Sequence, residues 1–290
     1  MAQWEGKSKG TPLGYRIFVA VLSTVGLYPA YFLLLFVVLY YFLFSFETSK
    51  HSYSFFRKRC GYGILRSIAM VYWSYFMIGQ SLIDKVAVMS GLSKKFTSTS
   101  NGSENIIKMA EMKRGAIMLG AHLGNWEIAG HFISRYDTVV NILIFDGDHE
   151  QIKNYIDSIT GGKKFKLIPI KGDLSHVYLM SEALMRGETI CMHADRFLSG
   201  NRTSPVPFFG EDAMFPMGPF QLVKALKAPY TYVYGVKTGP MHYDFYARPY
   251  KEVNDFDNIE AMMADYAHDL ESMVRKCPGQ WFNYYDFWAK

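Results

Sequence analysis

The stretch Ala116–Phe132, AIMLGAHLGNWEIAGHF, sets a histidine, His122, at the end of a run of small and apolar residues, with Glu127 five positions later. A neutral imidazole can take the proton from a hydroxyl as its oxygen attacks a carbonyl, and a neighbouring carboxylate can fix the tautomer and stabilise the imidazolium that forms. On one continuous helix a five-residue separation turns the second side chain by roughly 140°, so the two converge only where the chain changes state between them. Ala116–Gly120 reads as the core of a short buried strand, Gly124-Asn125 as a turn and helix cap, and Trp126–Ile133 as a helix. His122 is thereby expected at the C-terminal end of a strand and Glu127 in the first helical turn, at the sheet edge where α/β proteins place their sites. The backbone N–H groups of Gly124 and Asn125, with the Asn125 amide, are the expected donors to a developing oxyanion. No serine or cysteine stands in a G-x-S-x-G elbow, so the nucleophile is expected to belong to a substrate, with direct transfer between two bound molecules.

The elements that must position this pair follow from the pattern around it. Strands at Ala116–His122, Thr138–Phe145, Phe165–Ile170 and Thr189–His193 alternate with helices running through Ser134, over His149–Ile159 and over Asp173–Arg186. Alternation of this kind implies an α/β fold of αβα layers, with a largely parallel central sheet and helices on both faces. Residues 51–110 read as mainly helical, with SKKFTSTSNGSEN as a polar hairpin or loop before the first strand. Two units are expected, an N-terminal membrane anchor over 1–50 and a catalytic body over 51–290.

The anchor rests on Ile17–Phe46, which holds no charged residue, and above all on LYPAYFLLLFVVLYYFLFSF, Leu27–Phe46, long and apolar enough to cross a hydrocarbon core. Pro29 starts or kinks this helix, and Gly14–Val25 is expected as a preceding interfacial helix with Lys7, Lys9 and Arg16 at the headgroups. No small-residue cleavage site follows, which argues against a signal peptide. A helix spanning the bilayer or lying in one leaflet and a buried core helix are the competing readings. Hydrophobic residues make up 50% of the chain and aromatic residues 17%, which favours apolar ligands or a bilayer as neighbours. The net charge of +5 suits an anionic surface, while the absence of zinc-finger spacing, aromatic nucleic-acid signatures and dense basic tracts argues against nucleic acid. Cys60, Cys191 and Cys277 have no metal-ligand spacing, and their odd number fits reduced thiols.

Three motifs in one order carry a resemblance. His122-Leu-Gly-Asn-Trp-Glu127, Cys191-Met-His-Ala-Asp195-Arg196 and Pro205-Val-Pro-Phe-Phe-Gly210 are similar to those of the lipid A late acyltransferases, within the wider lysophospholipid acyltransferase superfamily. The similarity runs from the N-terminal apolar segment to about Pro278. It implies a body on the cytoplasmic face of the bacterial inner membrane that moves a fatty acyl chain to a hydroxyl of a membrane lipid or glycolipid. The donor it implies is an acyl-acyl carrier protein in preference to acyl-CoA, with no metal and no organic cofactor. By the same resemblance, His122 is the general base, Glu127 its orienting partner, Asp195 the acid of the downstream motif, and Phe208-Phe209-Gly210 the aromatic turn. The sequence departs from the family at Ile144-Phe145-Asp146-Gly147-Asp148, where a basic residue is usual. Its ending, Gln280-Trp-Phe-Asn-Tyr-Tyr-Asp-Phe-Trp288, resembles a branch associated with aryl-polyene and other bacterial lipid clusters.

The remaining candidates carry paired readings. Asp195 and Arg196 either bind a headgroup or phosphopantetheine phosphate or close the strand as an internal ion pair. Phe209 and Gly210 either wall an acyl groove or form an aromatic turn packed into the core. His193 is read as a satisfied structural histidine, and Lys224 and Lys227, on a helix after Pro219, as a solvated face or a landing site for an acidic carrier protein. His131 shares a helix face with Glu127 and admits a rival, a zinc-dependent hydrolase built on His122, Glu127 and His131, although H-E-x-x-H is absent. A non-enzymatic lipid-binding membrane protein is the other alternative.

Overall fold

The computed structural model describes residues 22, 24–89, 91–125, 128, 138–145, 165–197, 200–254 and 256–288. Glu127 and His131, the acidic turn Asp146-Gly147-Asp148 and the helix expected over His149–Ile159 lie outside these residues. So do Lys7, Lys9 and Arg16, and most of the segments Gly14–Val25 and Trp126–Ile133.

Four strands form the parallel heart of the sheet: β2 (Ala116–Gly120), β3 (Val140–Phe145), β4 (Phe165–Ile170) and β5 (Thr189–His193). They belong to a seven-stranded sheet ordered β1-β9-β8-β2-β5-β3-β4, in which β8 is Tyr230–Gly239 and β9 His242–Ala247. The β8–β9 pair is antiparallel and the other pairings are parallel. All five residues of β2 are buried, as an apolar run with no polar alternation requires of a strand covered on both faces. The structure corrects one expected loop: Thr97–Asn101 is strand β1, paired parallel to β9. Its residues are mostly exposed, and an edge strand of Ser and Thr pairs through its backbone without an apolar face to announce it. β2 also ends at Gly120, two residues short of the expected boundary.

Helix α1 (Leu27–Phe44) takes up most of the apolar run expected to reach Phe46, with Pro29 in its first turn, and α2 (Phe46–Ser54) follows after a break at Ser45. A π-helical turn, Phe55–Arg59, and the long α3 (Ile64–Met89) complete the N-terminal layer. Helix α1 buries Leu27, Ala30, Tyr31, Leu34 and Val38 along one side. Gly79 of α3 lets Leu34 come so close that a Cβ there would collide with its methyl groups. The opposite side leaves Tyr28, Phe32, Phe36, Tyr40, Leu43 and Phe44 exposed. This is the one helix among the described residues long and apolar enough to cross a membrane.

A buried polar knot fastens α1 to the body. Asp84, on α3, accepts hydrogen bonds from Tyr31 on α1, Tyr243 on β9 and Lys237 on β8, and both the carboxylate and the ammonium are almost wholly buried. Burial pushes the Asp84 carboxyl up and the Lys237 ammonium down, and each is the chief force restoring the other's charge. Removing one member therefore strands the other in a low dielectric. Lys237→Met is expected to lower stability by about 3–5 kcal/mol, whereas the double variant Asp84→Leu/Lys237→Met regains part of that loss. Denaturant titration of the detergent-solubilised chain reads both.

Candidate active site

The centre forms where β2 and β5 end side by side. Gly120 of β2 is registered with His193 of β5, an offset of 73 residues. Two residues past each strand the same offset brings His122 against Asp195, which lie 73 positions apart in sequence. Asp195 Oδ1 stands 2.7 Å from His122 Nδ1, and Oδ2 accepts the His122 backbone N–H at 2.9 Å. One carboxylate thus holds both the main chain and the ring. The carboxylate is 1% exposed and the imidazole 25%, so the carboxylate is sealed while the ring keeps part of its surface open.

Behind this pair stands a second imidazole. His193 Nδ1 lies 3.3 Å from His122 Nε2, with the rings edge to face at 4.3 Å between centroids. A carboxylate only accepts, so His122 donates from Nδ1 and presents the Nε2 lone pair, towards which His193 points its own Nδ1–H. Burial and then the Arg196 guanidinium hold His122 below the ordinary histidine range, with Asp195 pulling the other way. Burial, and secondarily His122, hold His193 down at about 3. Burial alone would raise the Asp195 carboxyl, but His122, by charge and hydrogen bond, and then Arg196 outweigh it and keep Asp195 well below the usual carboxylate range. The centre is therefore a carboxylate and two neutral imidazoles at neutral pH. His122, His193 and Asp195 are also close enough, with ligand atoms within 4.8 Å of one another, to hold a metal ion.

The loop after β2 is locked by three other segments. Phe282 N–H donates to His122 O at 2.9 Å, and Gly124 N–H to Gln280 O at 2.9 Å. Asn125 N–H donates to Gly235 O at 2.7 Å, while its amide donates to Ser81 O at 3.0 Å and accepts from Ile128 N–H. The oxyanion role expected of Gly124 and Asn125 is corrected on this point: both backbone N–H groups and the amide are already donated within the protein. Gly124 is needed for another reason. Its φ is +71°, and a Cβ there would run into the Gly235 carbonyl.

Other expected site residues fall as follows. Asp195 is the ring's partner, so neither expected role, phosphate binding or a simple ion pair, describes it. Arg196 donates to the Phe282 carbonyl. Phe209 and Gly210 form the two-residue turn of the hairpin β6 (Thr203–Phe208) and β7 (Glu211–Pro216), both at positive φ. Phe209 is buried, its ring lying edge to face with Phe55 at 5.5 Å and beneath Arg275, so the aromatic turn is packed into the core. Lys224 donates to Asp257 O at 2.6 Å from α6 (Gly218–Leu226), and Lys227 caps that helix. His193, read from sequence as structural, touches the His122 ring, a contact that follows from the β2–β5 register and has no signal along the chain.

A parallel-sheet α/β protein with a His–Asp pair at the carboxyl edge is the class that fold and site define. Residues 65–289 match the bacterial lipid A biosynthesis acyltransferase family, and the chain belongs to that family. Among curated proteins it is similar to the phosphatidylinositol mannoside acyltransferase of Mycobacterium tuberculosis, 25% identical over 136 residues that cover 45% of this chain and 42% of that one. The protein of the same name in Mycolicibacterium smegmatis is 29% identical over 114 residues, 38% of this chain and 36% of that one. The matches thus span about two-fifths of the length of these relatives.

His193 gives the site a pH signature. Its unfolded value is about 6.5 and its folded value about 3, so between these the unfolded chain binds a proton that the folded chain excludes. Stability contributed by the neutral ring is present above that window and is lost as pH falls through it. Denaturation midpoints measured from neutral to acid pH are expected to fall less steeply for His193→Gln than for the wild type, and equal slopes would contradict the assignment.

Proposed function

We propose that the protein transfers a fatty acyl chain from an acyl thioester to a hydroxyl of a membrane lipid or glycolipid. The observation that carries this reading is the His122–Asp195 pair, sealed on its acid side and open on its base side, in a chain of this family. The acceptor hydroxyl takes the place of His193 at His122 Nε2 and gives up its proton there as its oxygen attacks the thioester carbonyl. The tetrahedral intermediate collapses with loss of thiolate, to which the imidazolium returns the proton, while Asp195 balances the transient charge. No enzyme nucleophile, metal or organic cofactor takes part. The relatives' names support a glycolipid or phospholipid acceptor, and the family resemblance favours an acyl-acyl carrier protein over acyl-CoA. Helix α1, apolar and exposed on one side, supports attachment to the bacterial inner membrane, at its cytoplasmic face, where acyl thioesters are available.

Glu127 keeps a supporting role in this reading. Asp195 holds the ring at Nδ1, and Glu127 acts with it as a second carboxylate. Transfer assayed with acyl carrier protein and membrane lipid is expected to fall by about 10²-fold or more in His122→Ala. Asp195→Asn should cost more than Glu127→Gln, and the reverse order would overturn the assignment of the orienting acid. Because His122 is held below the ordinary range, the acid limb of kcat/KM should fall below pH 6.5 or so. Stoichiometric metal in active purified protein would replace this mechanism with a metal-based one. Lipid mass spectrometry of cells with and without the gene identifies acceptor and acyl chain together.

A further inference from the structure

A cavity of about 130 Å³ lies between the segment that follows the apolar helix and the C-terminal stretch, part of which bonds to the His122 loop. One wall comes from α2 and the π-helical turn, with His51, Lys58 and Arg59; the other comes from Asn283, Tyr285 and Asp286. Three of these residues carry a buried polar atom with no hydrogen-bond partner among the described residues: His51 Nε2, Asn283 Oδ1 and Tyr285 Oη. Asn283 is itself 7% exposed. Buried polar atoms are rarely left unpaired, and three around one cavity are what a bound polar group would satisfy.

The chemistry of the lining specifies that group. His51 can carry its proton on Nε2, Tyr285 brings a hydroxyl, and exchanging the Asn283 amide's two ends presents an N–H₂ group. Lys58 and Arg59 add positive charge, Arg59 being held over the Trp288 ring at 4.5 Å and shared with Glu211. The acid on the wall, Asp286, already accepts the Trp288 backbone N–H. Three donors and the Lys58 ammonium, which no acid among the described residues pairs with, fit a compact anion with several acceptor oxygens. Asn283 follows Phe282, the residue bonded to the His122 carbonyl, and Tyr285 lies within electrostatic reach of Asp195 and Arg196. An anion held here is on the same C-terminal stretch that bonds to the His122 loop.

The geometry points to this cavity as a phosphate subsite, formed by His51, Lys58, Arg59, Asn283 and Tyr285, that anchors a phosphate-bearing substrate beside His122. Its link to catalysis rests on the acyl-transfer reading; its capacity to bind phosphate does not. Two substrates could bring the phosphate, an acyl donor carried on phosphopantetheine or an acceptor lipid with a phosphate headgroup.

Phosphorus NMR of the probe with the detergent-solubilised full chain tests the subsite. The probes are inorganic phosphate, 4′-phosphopantetheine and dihexanoyl phosphatidic acid, with pantetheine and dihexanoylglycerol as unlabelled competitors lacking the phosphate. Saturable binding is expected in the wild type, resistant to both competitors and about ten-fold or more weaker in Lys58→Ala and in Tyr285→Phe. Tyr285→Phe deletes a buried hydroxyl that has no partner among the described residues, so it should be at least as stable as the wild type while binding less well. Tighter binding of 4′-phosphopantetheine assigns the subsite to the donor, and tighter binding of phosphatidic acid assigns it to the acceptor. His122→Ala should bind as the wild type does, which separates this subsite from the catalytic reading. Absence of saturable binding, equal affinity in all variants, or loss of binding in His122→Ala overturns it.

Discussion

Asp195 bonds both to the His122 ring and to the His122 backbone N–H, and the rest of the centre depends on that double attachment. A carboxylate touching the ring alone would fix its tautomer and leave the loop free to carry it away. Holding the main chain as well makes the imidazole part of the sheet's own framework, because Ala194 N–H, just before Asp195, bonds to Gly120 O at 3.0 Å. Gly120 O also accepts the hydroxyl of Tyr266, at 2.7 Å, from α7 (Ile259–Lys276). The ends of β2 and β5 and a C-terminal helix thus meet at one carbonyl.

A second layer works from the C-terminus. Phe208, Phe209, Phe55, Trp281, Phe287 and Trp288 pack edge to face or stacked, with centroids roughly 5–6.4 Å apart. Such contacts add to the burial of each ring and favour particular orientations. The cluster also accounts for Phe209 at a φ of 53°, an uncommon backbone for a bulky residue. Its N–H reaches Glu271, and its ring is enclosed by Phe55 and Arg275. By fixing Trp281, the cluster sets the strand-like pairing of Trp281 with Leu123 and hence the bonds from the neighbouring residues to His122 and Gly124. Aromatic packing therefore helps to fix where the His122 ring stands.

What the sequence revealed follows from what buried strands require. Phe165–Ile170 and Thr189–His193 have the same bounds in the structure as in the reading of the sequence, since short, mostly apolar runs between Gly- and charge-bearing turns leave few alternatives. Helix α5 (Ser175–Met185) falls within the expected Asp173–Arg186. Strand β1 was hidden because nothing in Thr-Ser-Thr-Ser-Asn is apolar; it is held by its backbone ladder to β9 and by the Thr97 and Thr99 hydroxyls on His242. His122 was legible because it ends a strand and precedes a turn. Its contact with Asp195 was not, because that depends on β5 lying next to β2 and ahead of β3 and β4 in the sheet, an order that side-chain pattern along the chain does not encode. The N–H groups of Asn125 and Gly124 were hidden for the same reason: their acceptors, Gly235 and Gln280, lie 110 and 156 positions further along the chain.

The knot of Asp84, Lys237, Tyr31 and Tyr243 gives α1 a fixed attitude. A hinged tether would let the body roam above the bilayer and sample alcohols at many depths. A helix riveted through a buried ion pair instead turns the protein into a depth gauge: wherever the exposed aromatic side of α1 settles against an apolar phase, the elevation of the imidazole above it is set.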